Sequence, residues 1–145
     1  MRVAIAVLAA TAALAGCGGG GAMSAADYRK AASKICDDAN RHAAAVGQPR
    51  NLAALRGYLD RTLAIVQDDT DRLRALHPPD NLKSGHQEAL KAQDAAVQRL
   101  RALLHQLETS KPTVAELRSA LAEVQRLSDE ADRRFRAIGL QHCAQ

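Results

Sequence analysis

The chain predicts an all-α fold, a single domain built as an antiparallel up-down-up-down four-helix bundle. Three observations predict it. Four segments of about 22 to 30 residues carry apolar side chains at alternating spacings of three and four, the signature of one helix face. Short breaks rich in proline, glycine and capping residues separate them, which favours antiparallel neighbours. No segment alternates polar and apolar residues with period two over strand length. The mean repeat is close to that of coiled-coil seams and implies shallow crossings near 20°.

The first segment opens at Ser24, with Asp27 three residues on. Its stripe is Tyr28, Ala32, Ile35, Ala39, His42 and Val46, and Gly47 and Pro49 end it. Small residues on this helix (Ala32, Ala39, Ala43) either let a neighbouring helix approach closely, the commoner outcome, or leave room for an apolar guest. The second segment has Asn51 as its cap and Leu52, Leu55, Leu59, Leu63, Val66, Leu73 and Leu76 as its stripe. Pro78-Pro79 terminates it, because neither ring nitrogen can donate a helical hydrogen bond. The third begins near Asp80 or Ser84, the latter forming a weak capping box with Gln87. Leu82, His86, Ala89, Leu90, Val97, Leu100, Leu104 and Leu107 make its stripe, broken at residues 109–112. The fourth opens on the stronger capping box Thr113-x-x-Glu116. Val114, Leu117, Leu121, Val124, Ser128, Ala131, Phe135 and Ile138 follow, and Gly139 is a natural left-handed stop with Leu140 placed to pack back.

Residues 1–16 have a different build. Arg2 supplies a positive start, an uncharged run of small and aliphatic residues follows, and small residues lead to Cys17. The run is too short for a permanent membrane span, which needs about 20 apolar residues. Leu14-Ala15-Gly16-Cys17 resembles the lipobox of bacterial lipoproteins. The resemblance implies cleavage before Cys17, a diacylglyceryl group on its sulfur, and often acylation of the new amino terminus. The chain then divides into a cleaved signal peptide at 1–16, a lipidated cysteine with a Gly-rich tether at 17–23, and a helical domain at 24–145. A tether of this length spans roughly 15 Å, so the domain is expected to sit close to the outer face of the cell membrane.

Composition narrows the partners. The chain has 20 basic and 16 acidic residues, and loss of residues 1–16 removes only Arg2. A mildly basic exported protein is suited to anionic lipid or envelope polymer rather than nucleic acid. Tyr28, Tyr58 and Phe135 are the only aromatic residues, too few for a platform that stacks sugars or bases. With Cys17 given to lipid, Cys36 and Cys143 remain. An even pair in an oxidising compartment reads as one disulfide, which would staple the chain ends across the bundle; free thiols or a metal pair are the alternatives. The wider layout adds a second likeness. The lipobox, Ile35-Cys36-Asp37-Asp38-Ala39-Asn40, Leu76-x-Pro78-Pro79 and Gly139-Leu140-x-x-Cys143 together resemble small uncharacterised lipoproteins of actinobacteria. That likeness implies an envelope location and a helical domain, and carries no reaction.

Candidate chemistry is sparse. Of five histidines, His77, His86 and His142 are expected near one bundle end, and His42 and His105 near the other. Three histidines can hold zinc or copper. However, no His-x-x-x-His, Glu-x-x-His or Cys-x-x-Cys spacing supports a metal, and the di-iron carboxylate pattern of bundles is missing. Asp68-Asp69-x-Asp71 and Asp129-Glu130-x-Asp132 fall on the second and fourth segments at similar height, as a conceivable cation or acid–base pair. Arg72, Arg74, Arg133, Arg134 and Arg136 lie beside them, which favours balanced, solvated helix faces. No nucleophile elbow or phosphate-cradling loop occurs, so neither an enzyme nor a cofactor is expected. The expected function is a non-enzymatic interaction module at the cell envelope, held to the membrane through lipid on Cys17 and facing an envelope protein or polymer. The alternative is a carrier of a small ligand or metal in the bundle interior.

Overall fold

The computed structural model describes residues 21–144. The expected signal segment, Cys17 and the first glycines of the expected tether lie outside the described residues, as do Gln145 and the side chain of Leu52. The described chain is an up-down-up-down bundle of α1 (Ala25–Val46), α2 (Leu52–Arg74), α3 (Asp80–Thr109) and α4 (Val114–Ala137), closed by a 3-10 turn at Gln141–Cys143. No strand occurs among the described residues.

Local chemistry sets most boundaries. The Ser24 hydroxyl accepts from the Asp27 amide at 3.1 Å, and Asn51 Oδ1 accepts from the Ala54 amide at 2.9 Å. These caps satisfy amides that have no helical partner. Thr113 and Glu116 form the full capping box: the Thr113 amide donates to Glu116 Oε2 at 2.7 Å and the Glu116 amide to Thr113 Oγ1 at 3.2 Å. α4 ends in a Schellman turn. Gly139 adopts φ +83°, its amide donates to Arg136 O at 3.0 Å, and the Leu140 amide donates to Phe135 O at 3.0 Å. Leu140 is then fully buried against the last turn.

One boundary differs from the sequence expectation, and at a second the structure selects Asp80 of the two expected starts. α2 stops at Arg74, short of Leu76, because the residue before Pro78 is pushed out of the helical region and the chain turns early. α3 begins at Asp80 with Pro79 in the cap position, and Ser84 lies inside it rather than at its start. Proline there loses nothing, since its missing amide would be unpaired at a helix start.

The core is in two pieces. One cluster, at the end where α1 starts and α4 finishes, gathers Tyr28, Ala32, Leu73, Leu90, Phe135 and Leu140 among others. The other, at the far end, gathers Leu59, Leu100, Leu103, Leu104, Leu117 and Ala120. α3 and α4 pack along their length, whereas α1 rests mainly on α2 and on the C-terminal tail, with little direct contact to α4. The tail runs along α1 as a seam. Arg29 Nε donates to Ile138 O at 3.1 Å, Asn40 Nδ2 donates to His142 O at 3.0 Å, and Cys36 is bonded to Cys143 across a Cα–Cα distance of 5.0 Å. The predicted staple is therefore present. Beyond the seam, α1 loses its cover: His42 and Ala43 are exposed, so His42 is not a core residue of the stripe. Val114, at the start of α4, is also exposed, where the helix begins beyond the packed end of the bundle.

Candidate functional site

Between the two clusters lies a cleft of about 240 Å³ that all four helices line. Its walls follow from what each helix carries at that height. α1 brings the small residues Ala39 and Ala43 and the amide of Asn40; α2 brings Thr62, Val66 and Asp69; α3 brings Gln93 and Val97; α4 brings Val124, Ser128 and Asp132. Ala32 packs fully inside the first cluster, whereas Ala39 and Ala43 line the cleft. The small-residue stripe thus does both things: it packs at one end and makes room in the middle.

Asp69 dominates the cleft electrostatically. Its Oδ1 is shut off from solvent and no protein donor reaches it. Burial raises its pKa to about 6; Arg72 pulls the other way and Asp68 adds to the rise. Arg72 is itself engaged, donating to Asp38 Oδ2 at 3.1 Å and lying 3.7 Å from Asp68. Asp132 is also raised, by burial first, although Arg136 approaches it at 3.5 Å. Among the described residues, these two carboxylates are the only charged side chains lining the cleft, and no cationic side chain lines it.

The remaining acids of the two expected clusters behave as balanced faces. Arg74 bonds Asp71 at 2.5 Å and Asp94 at 2.8 Å, while Glu130 is held by Arg133 and Arg134. The hollow on the α2–α3 face is lined by some of these paired charges. Sequence proximity groups each cluster as one unit, yet Asp69 and Asp132 turn inward to the cleft. A signal was present: the α2 stripe jumps from Val66 to Leu73, which leaves polar Asp69 and Thr70 at core-facing positions. Thr70 is buried and satisfies itself by donating to Val66 O at 2.6 Å. Asp69 has no such backbone exit.

The histidines do not converge. His86 is buried, with Nδ1 2.8 Å from the Tyr28 hydroxyl and its ring edge-on to the tyrosine at 5.6 Å between centroids. Burial lowers the His86 pKa and raises that of Tyr28 to about 12, so the pair is neutral and serves the core. His142 bonds Asp37 at 2.8 Å on the tail seam, and His77 lies in the exposed turn, where its carbonyl accepts from the Met23 amide at 2.9 Å. Among the described residues, no three His, Cys, Asp or Glu side chains gather as a metal site. No protein-family profile, curated protein or solved structure matches the chain.

The Asp69 environment makes a stability prediction. Its folded pKa lies above its unfolded value, so the stability it contributes is full below pH 3.8 and is lost as pH rises through about 6. His86 works in the opposite sense and costs stability as pH falls below 6.5. Comparing Asp69→Asn with the parent isolates the first effect. The variant is expected to be more stable at pH 8 by about 1–2 kcal/mol, after allowing for screening at the open side of the cleft, and no more stable at pH 4. Thermal unfolding at both pH values checks it, and equal melting points at pH 8 would show that Asp69 is solvated.

Proposed function

We propose that this protein is a non-enzymatic binding lipoprotein, anchored through Cys17 at the outer face of the cell membrane, whose binding site is the cleft between its two core clusters. The cleft carries the proposal: a bundle that separates its core into two clusters and leaves the buried Asp69 Oδ1 without a partner between them has sacrificed stability there. Ligand sites in helix bundles are built in this way, from inward side chains on facing helices. The outer surface favours a protein-docking module less. Val114 is the exposed large apolar residue among those described, so that surface offers no apolar patch for a partner to cover.

Native mass spectrometry of the full-length protein extracted from its own membrane tests the reading. A retained small molecule is expected. A retained protein partner with no small molecule would favour the docking module instead. In the same cells, Cys17→Ala is expected to leave the membrane fraction; a variant that stays membrane-bound would refute the lipid anchor.

A further inference from the structure

Resting on the proposed cleft as a binding site, we infer that its ligand class is a small organic cation: a primary or secondary amine on a short apolar body. The charged groups facing the site favour a cation. Asp69 from α2 and Asp132 from α4 line it, α1 contributes the neutral amide of Asn40, and α3 contributes the neutral amide of Gln93. Arg72 is committed to Asp38 and Asp68, and Arg136 pairs with Asp132, which leaves Asp69 as the cleft carboxylate with no ion-pair partner among the described residues. The cleft is thus an acidic interior in a chain whose formal charge is +4. An anion would enter against both carboxylates with no lining cation to receive it.

The chemistry of the walls narrows the class. A metal ion needs more donors than two carboxylates on separate helices supply, and no third His, Cys, Asp or Glu joins them among the described residues. A quaternary ammonium is held best by aromatic faces, and none lines the cleft. A protonated amine suits what is there. Its N–H groups face the Asp69 carboxylate on the cleft wall, with the Ser128 hydroxyl also lining the site, while Val66, Val97 and Val124 receive carbon. The volume of about 240 Å³ limits the guest to a compact molecule of fragment size. The raised pKa of Asp69 is consistent with this order: an ammonium beside the carboxylate relieves the cost of keeping it charged.

Calorimetric titration of the full-length chain in detergent, with three probes of one shape, tests the inference. Cyclohexylammonium, cyclohexanol and cyclohexanecarboxylate differ in charge at nearly constant size. At pH 8 the ammonium is expected to bind about 10- to 100-fold more tightly than the alcohol, and the carboxylate not at all. Asp69→Asn is expected to remove that advantage, whereas Asp71→Asn, on the outer face, keeps it. Equal binding of ammonium and alcohol, or an advantage that survives Asp69→Asn, overturns the cation assignment and leaves the cleft as a site for neutral ligands. Failure of all three probes, together with no small molecule retained in native mass spectrometry, overturns the cleft as a binding site altogether.

Discussion

Replacing Cys143 by Ser lowers the free energy of unfolding by about 2–5 kcal/mol. The bond closes a loop across 107 residues of sequence, so its loss returns nearly the whole chain's loop entropy to the unfolded state. The native state loses more than a crosslink. The tail stands where α4 would otherwise meet α1, and it carries the Arg29–Ile138, Asn40–His142 and Asp37–His142 contacts. Once freed, residues 138–144 fray and α1 keeps chiefly α2 as its support. Amide exchange in residues 29–40 should rise accordingly. Reductant is expected to lower the melting temperature of the parent to that of Cys143→Ser and to leave the variant unchanged. Equal melting of oxidised and reduced parent would show that the tail is held by packing alone.

Truncating each core cluster in turn gives the second large effect. Phe135, in the cluster where α1 starts and α4 finishes, and Leu103, in the far cluster, are both buried. Phe135→Ala is expected to cost about 3–5 kcal/mol and Leu103→Ala about 2–5 kcal/mol, through lost transfer energy and the cavity left behind. The informative quantity is their coupling. The cleft lies between the clusters, so the two losses should add to within about 0.5 kcal/mol. Phe135→Ala with Leu140→Ala should depart from additivity, because those residues share one cluster. Strong coupling between Phe135 and Leu103 in denaturant unfolding would mean a single continuous core, and the cleft would lose its structural basis.

Much of this architecture is legible in the sequence where its cause is local. Ser24, Asn51 and the Thr113–Glu116 box cap helices because each satisfies amides within three residues. Gly139 stops α4 because its positive φ suits glycine, and here a Cβ would also meet Arg29 Nε at 2.8 Å. The Cys36–Cys143 pairing follows from topology, since the fourth helix returns to the start of the first. What escaped depends on neighbours. Leu103 falls off the α3 stripe yet is fully buried, because α3 packs against both α2 and α4 and needs a wider apolar face than a periodic stripe suggests. His42 sits on the α1 stripe yet is exposed, because α4 does not cover that stretch. Asp69 shows both limits. Its place in a run of acids beside arginines suggests a solvated face, and only the approach of three other helices turns it into an unpaired interior carboxylate.

A carboxyl-carbon NMR titration of Asp69 tests that role most directly. The structure places its midpoint near pH 6, and addition of cyclohexylammonium is expected to move that midpoint downward, as a bound cation favours the charged form. A midpoint near 3.8 that the amine does not move would contradict the account, since Asp69 would then be an ordinary solvated aspartate and the cleft would hold no cation.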